Sequence, residues 1–219
     1  MARCKKCQKV IEVEGDTGFC MGCTPDPVPL RLQGAPDLHG RSDSTWIQTF
    51  TGRQFWPLEP RSEEVFLEDV AHHLANICRF TGACRAFYSV AQHSVLVSLC
   101  APAGEDPLWG LLHDASEAYL IDVARPVKRS AAMEGYRVAE ARMMAVICER
   151  FGLPVAEPAW VKVADNRLLA TERRDLMAPP PRPWVDGTVS LPDRIEPWAP
   201  AFAEARFLRD AKRLLAERR

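Results

Sequence analysis

From residue 62 onward, apolar positions recur at helical spacing. Ser62 followed by Glu63, Glu64 and Glu68 reads as a capped, acid-rich helix start, and Val65, Val70, Leu74, Ile77 and Cys78 make an apolar stripe running to Gly82. The same spacing predicts helices over 89–100, 107–120, 131–151 and 158–177. Gly152-Leu153-Pro154 stops the helix over 131–151, and the PPPRP run at 179–183 ends that over 158–177. A last helix spans 199–217 with Phe202, Phe207, Leu208, Leu214 and Leu215 on its buried side; that face can close the domain's own core or pair two copies of the chain. Upstream, WIQTFTGRQFWPLEP alternates around Thr51-Gly52 and predicts a short β-hairpin, closed by Pro57 and Pro60. The expected fold class is all-α: a helical bundle with one short hairpin and no internal repeat.

Composition narrows the class. With 219 residues, 47% hydrophobic and 26% charged, the chain has room for one substantial domain and a small appendage. Its formal net charge of -1 supplies no basic field for non-specific binding to nucleic acid or an anionic membrane, so any phosphate must be met locally. Apolar runs of membrane-spanning length are missing, and MARCKKCQKV has no apolar signal core. The expectation is a cytoplasmic protein with no membrane partner.

Four of the eight cysteines fall in the first 23 residues as Cys4-x2-Cys7 and Cys20-x2-Cys23, twelve residues apart. Two such knuckles place four thiolates around a tetrahedral structural zinc; the alternatives are a disulfide pair or reduced thiols. Residues 1–24 therefore read as a Cys4 zinc ribbon, 25–45 as a proline-rich linker, and 46–219 as the main domain. Lys5, Lys6 and Lys9 give the ribbon a modest basic patch, so contact with nucleic acid through it stays open. Cys78, Cys84, Cys100 and Cys148 read as core, and His39 as a solvated loop residue.

The candidate chemistry lies in the helices. His93, His113, Asp114 and Asp165 are ligand types for a catalytic transition metal, and two imidazoles with two carboxylates leave coordination positions for water and substrate. Glu117 follows His113 by four residues and Asp114 by three, which puts it on about the same helix surface. A bare His-Asp pair is weak on its own, since a histidine beside leucines is usually a satisfied core residue.

The strings SVAQHSVLVS, GLLHDASEAYLIDVARPVK and VADNRLLATERRDL resemble the H…HD…D signature of HD-domain metal-dependent phosphohydrolases, in particular YfbR-type 5'-deoxynucleotidases and related phage deoxynucleotide phosphohydrolases, over about residues 46–178. The resemblance implies an α-helical HD domain with one divalent ion, Co, Mn, Zn or Fe, on His93, His113, Asp114 and Asp165. Glu117 would then be the catalytic carboxylate. Asp122 would face the substrate sugar or, alternatively, stabilise the turn at Arg125-Pro126. Arg79 and Lys128 are candidates to hold phosphate or are surface cations. Arg79-Phe80 fills the place of an arginine followed by an aromatic in the related deoxynucleotidases; in the bacterial enzymes that aromatic is typically the larger tryptophan, whose bulk near the sugar excludes a 2'-hydroxyl. Trp46, Ile47 and Trp56 could stack on a base or simply pack in the core or hairpin, and His72 reads as a buried structural residue, with a partner to a metal ligand or a phosphate donor as the alternatives.

The implied reaction is hydrolysis of the 5'-phosphoester of a deoxynucleotide, either a monophosphate to nucleoside and phosphate or a triphosphate to nucleoside and triphosphate. The competing class is a regulatory module that senses nucleotide, with the ribbon docking on protein or nucleic acid. A homo-oligomer is compatible with both.

Overall fold

A computed structural model describes strands β1 (Ala2–Arg3) and β2 (Val10–Ile11), residue 41, and residues 44–184 and 187–218. The four ribbon cysteines, His39 and all of the linker except residues 41, 44 and 45 lie outside the described residues. β1 and β2 pair antiparallel, Ala2 with Ile11 and Arg3 with Val10. The chain divides between Ser44 and Thr45.

The larger unit is mostly helical. It opens with the expected hairpin, β3 (Ile47–Gln48) against β4 (Gln54–Phe55), turning at Gly52 with φ 80°. Eight α-helices follow among the described residues: α1 (Leu67–Asn76), α2 (Val90–Leu99), α3 (Pro107–Leu112), α4 (Glu117–Leu120), α5 (Arg125–Lys128), α6 (Glu134–Phe151), α7 (Ala159–Leu176) and α8 (Pro200–Glu217). α2 is buried nearly all round and packs against α1, α3, α7 and α8, as expected of a helix apolar on every side. Its start is fixed by Ser89, whose side chain accepts from the Gln92 N–H at 3.1 Å. Asp106 caps α3 in the same way, ahead of Pro107. α6 stops at left-handed Gly152.

The hairpin is pinned to α1 by a fully buried carboxylate. Asp69 accepts from the Thr51 N–H at 2.7 Å and from the Thr51 hydroxyl at 2.9 Å, so its charge is met by donors from the hairpin tip. His73 accepts the Phe50 N–H on Nε2 and donates from Nδ1 to the Ala118 carbonyl. His72 stacks on Phe50 at 3.6 Å and pairs with Glu204 of α8. Both histidines are therefore structural ties, and His72 is half-buried rather than buried.

Three boundaries differ from the sequence reading. Ser62–Glu64 forms a separate 3-10 turn and Val65 and Phe66 are extended, so α1 starts at Leu67. It ends at Asn76, because Ile77 is extended and Cys78 bridges to Ser89 instead of completing the stripe. The third helix breaks into α3 and α4 across His113–Ser116, where bonds such as Glu117 N–H to Asp114 O at 3.0 Å tighten the chain to 3-10 spacing. α8 turns its apolar face inward through Ala203, Phe207, Ala211 and Leu214, but Phe202 stays 54% exposed, edge-on to Trp198.

Gly110 of α3 lies where three helices converge. A Cβ there would sit 2.6 Å from the Trp160 ring of α7 and 3.1 Å from the Ser98 Cα of α2. Gly110→Ala should therefore cost about 1–3 kcal/mol of stability by overpacking, measured by urea denaturation. An unchanged midpoint would show that Trp160 yields freely.

Candidate metal centre

The centre is assembled from α2, the α3–α4 turn and α7. His93 is fully buried on α2 and Asp165 is 8% exposed on α7. His93 Nε2 lies 3.3 Å from His113 Nε2, 3.7 Å from Asp114 Oδ2 and 3.5 Å from Asp165 Oδ1, while His113 Nε2 and Asp114 Oδ2 are 3.2 Å apart. Two ligands each about 2.1 Å from one ion stand about 3.0 Å apart along an octahedral edge and about 3.4 Å along a tetrahedral one. His93, His113 and Asp114 thus form a cluster that could hold a metal ion.

Both imidazoles are oriented for that task. His113 Nδ1 donates to the Gly110 carbonyl at 2.8 Å, which leaves Nε2 to face the cluster. His93 Nδ1 meets Glu172 Oε1 at 2.6 Å, and Tyr88 donates its hydroxyl to the same oxygen at 2.9 Å. A carboxylate behind a histidine fixes the ring and raises its basicity as a ligand. Glu172 was missed in the sequence although a signal existed: it follows Asp165 by seven residues on α7, two turns along the same face.

The electrostatics favour a cation at His93 Nε2. Burial and Arg79 oppose protonation of His93, yet Glu172 and Asp165 outweigh them and raise its pKa to about 9. Against the effect of burial, His113, His93 and Arg79 hold the Asp114 carboxyl well below the usual carboxylate range, and His93, His113 and Lys162 do so for Asp165. The proton on His93 offsets this negative charge, and a divalent ion on Nε2 would displace it, coupling metal uptake to proton release.

The remaining candidates fall into two groups. Glu117 and Asp122 stay available. Residues three apart eclipse one another at 3-10 spacing, so the tightened turn stacks Glu117 beside Asp114. Glu117 is 4% exposed, its Oε2 has no hydrogen-bond partner among the described residues, and its pKa is pushed well above the usual range by burial, then by Asp114 and Asp122. Asp122 is half-buried. A cleft of about 520 Å³ opens beside Glu117, lined also by His73, Asn76, Ile77, Tyr119 and Ile121.

The cations are largely engaged. Arg79 is 8% exposed and divides its fork between Asp114 at 3.4 Å and Glu172 at 3.3 Å, and its Nε has no partner among the described residues. It is a buried ion-pair residue, not a surface cation. Lys128 reaches Glu140 of α6 at 2.5 Å and lies 3.9 Å from Glu117. Asp165 Oδ2 takes Lys162 at 2.7 Å and Arg125 at 3.3 Å. Phe80 is half-buried next to Arg79, in left-handed backbone with φ 57°, and Thr81 follows with φ 51°. Such conformations are uncommon for bulky or β-branched residues and gather at functional sites. Trp46 and Ile47 are each 37% exposed on the hairpin, outside the cleft lining.

Glu172→Ala should weaken divalent-metal affinity about 10–100-fold, with Glu172→Gln in between. Titration of the full chain with Mn(II), followed by electron paramagnetic resonance, tests this at the centre, because Mn(II) prefers oxygen and imidazole to thiolates. Wild-type affinity in Glu172→Ala would remove the orienting role.

No family model matches the sequence. The uncharacterized protein YfdR of Escherichia coli (strain K12) is 44% identical over 132 residues, covering 60% of this chain and 72% of YfdR. An uncharacterized protein of Rhodobacter capsulatus is 40% identical over 127 residues, covering 54% of this chain and 64%, a little under two thirds, of that protein. Among the described residues, no helix is long and apolar enough to cross a membrane. With that identity over most of the relative's length, the chain belongs to the same family as YfdR.

Proposed function

We propose that the chain is a metal-dependent phosphohydrolase of HD type that cleaves the 5'-phosphoester of deoxynucleotides. The observation that carries the reading is the meeting of His93 Nε2, His113 Nε2 and Asp114 Oδ2 at separations of 3.2 to 3.7 Å, with a buried Glu117 carboxyl oxygen near Asp114 that has no hydrogen-bond partner among the described residues. Asp165 Oδ1 serves as the fourth ligand, since it already lies 3.5 Å from His93 Nε2. A divalent ion in this set supplies Lewis-acid polarisation of a phosphoryl oxygen and an acidified water.

The chain's own residues do the rest. Glu117 orients the attacking water or passes its proton to the leaving oxygen, a role suited to a buried carboxyl whose Oε2 has no competing donor among the described residues. Lys128, 3.9 Å from Glu117 Oε1 and tied to Glu140, sets the charge around that carboxyl. Asp122 meets the sugar, and the adjoining cleft, of a size typical of small-molecule sites, receives the nucleoside. Arg79 holds the Asp114 and Glu172 carboxylates in register. Phe80, smaller than tryptophan, relaxes the exclusion of a 2'-hydroxyl. The N-terminal knuckles Cys4, Cys7, Cys20 and Cys23 hold a structural zinc.

A panel of deoxynucleoside and ribonucleoside mono- and triphosphates, incubated with Mn-, Co- or Zn-loaded full chain and assayed for phosphate and tripolyphosphate, should show turnover of deoxynucleotides. Asp114→Ala should abolish it. Glu117→Gln should lower kcat about 10²–10⁴-fold while metal affinity is retained. No turnover of any nucleotide with any of the three metals contradicts the proposal and leaves the nucleotide-sensing module.

A further inference from the structure

The segment from Ile121 to Ser130 carries Asp122, Arg125 and Lys128, and it is held from one side by the first turns of α6. Tyr136 donates its hydroxyl to the Ile121 carbonyl at 2.7 Å. Arg137 donates to the Lys128 carbonyl at 2.6 Å and the Ser130 carbonyl at 2.8 Å. Glu140 takes the Lys128 ammonium, which also lies 5.7 Å from the Tyr136 ring. One helix face thus grips successive points of a loop that ends helix α4 and passes the centre.

The grip acts where the backbone is least at ease. Ile121 has φ 66° and ψ 153°, a region that is essentially reserved for glycine and a genuine outlier for a β-branched side chain. Its side chain is 62% exposed, so packing does not hold it there. Two hydrogen bonds do: the Ile121 N–H closes on the Glu117 carbonyl at 2.8 Å, and the Ile121 carbonyl accepts from Tyr136. Strain of this kind persists only where the surroundings over-determine it. The residue that this turn delivers is Asp122, whose charge reaches Glu117.

We propose that Tyr136 is a positioning residue: its hydroxyl locks Ile121 in this backbone conformation and so presents Asp122 beside Glu117 for substrate. The inference rests on the phosphohydrolase reading for what Asp122 meets, but the lock itself does not. Because glycine adopts positive φ without cost, Ile121→Gly should remove the strain and with it much of the turn's conformational dependence on Tyr136.

The test is a double-mutant cycle with Tyr136→Phe and Ile121→Gly in the full chain, read in two ways. By thermal melting, Tyr136→Phe should lower Tm less in the wild-type background, where the freed turn relaxes and recovers its strain, than in Ile121→Gly; equal losses in both overturn the lock. By kinetics on the nucleotide panel, Tyr136→Phe should raise KM about fivefold, the scale of one lost hydrogen bond, with Mn(II) affinity unchanged, and by less than about twofold in Ile121→Gly. An active wild type whose KM is insensitive to Tyr136→Phe overturns the positioning role and leaves the hydrolase reading standing. An inactive wild type defeats that reading, and the melting cycle still decides the lock.

Discussion

A fully buried imidazole governs this structure. His93 sits in the helix that the rest of the bundle surrounds, and a charged ring at such a place is tolerated only if every neighbour is arranged for it. Glu172 takes Nδ1, Asp114 and Asp165 flank Nε2, and Arg79 spans Asp114 and Glu172. Removing one member of a buried ionic set of this kind typically costs about 3–5 kcal/mol, because the partners left behind are unpaired away from water. The candidate metal centre and the core are therefore one object: its side chains cannot be altered without disturbing the packing of α2, α7 and the turn between α3 and α4.

The irregular backbone is concentrated around that object. Long helices α6, α7 and α8 are regular and serve as scaffold, whereas the His113–Ser116 turn tightens to 3-10 spacing, Phe80 and Thr81 are left-handed next to Arg79, and Ile121 is left-handed before Asp122. Each departure sits beside a residue of the centre. The tightened turn has a direct consequence, since it stacks Glu117 over Asp114, where α-helical spacing would set them about 60° apart on the same face.

Helical spacing made most of the fold legible in the sequence, because stripes such as Val70–Leu74 and Phe207–Leu214 each face a core that exists. His93, His113 and Asp114 were readable by ligand type, and the structure brings them together. Features that depend on tertiary partners were not readable. α1 stops at Asn76 because Cys78 is recruited by Ser89, which no local propensity shows. Arg79 looked like an available phosphate fork, yet two carboxylates from other elements claim it. Glu172 was hidden among the charges of a helix whose exposed face is also charged, and only its register with Asp165 marks it. Phe202 was counted with the buried face of α8, but Trp198 offers it a surface contact instead.

The most direct measurement is an anomalous difference map from crystals of the full chain grown with Mn(II). A peak within about 2.0–2.3 Å of His93 Nε2, His113 Nε2 and Asp114 Oδ2, distances ordinary for such ligands, is the predicted result. Anomalous scattering also separates this position from any metal held by the cysteines. A map with no peak between α2, α7 and the His113–Asp114 turn, at Mn(II) concentrations that saturate the solution titration, would contradict the account.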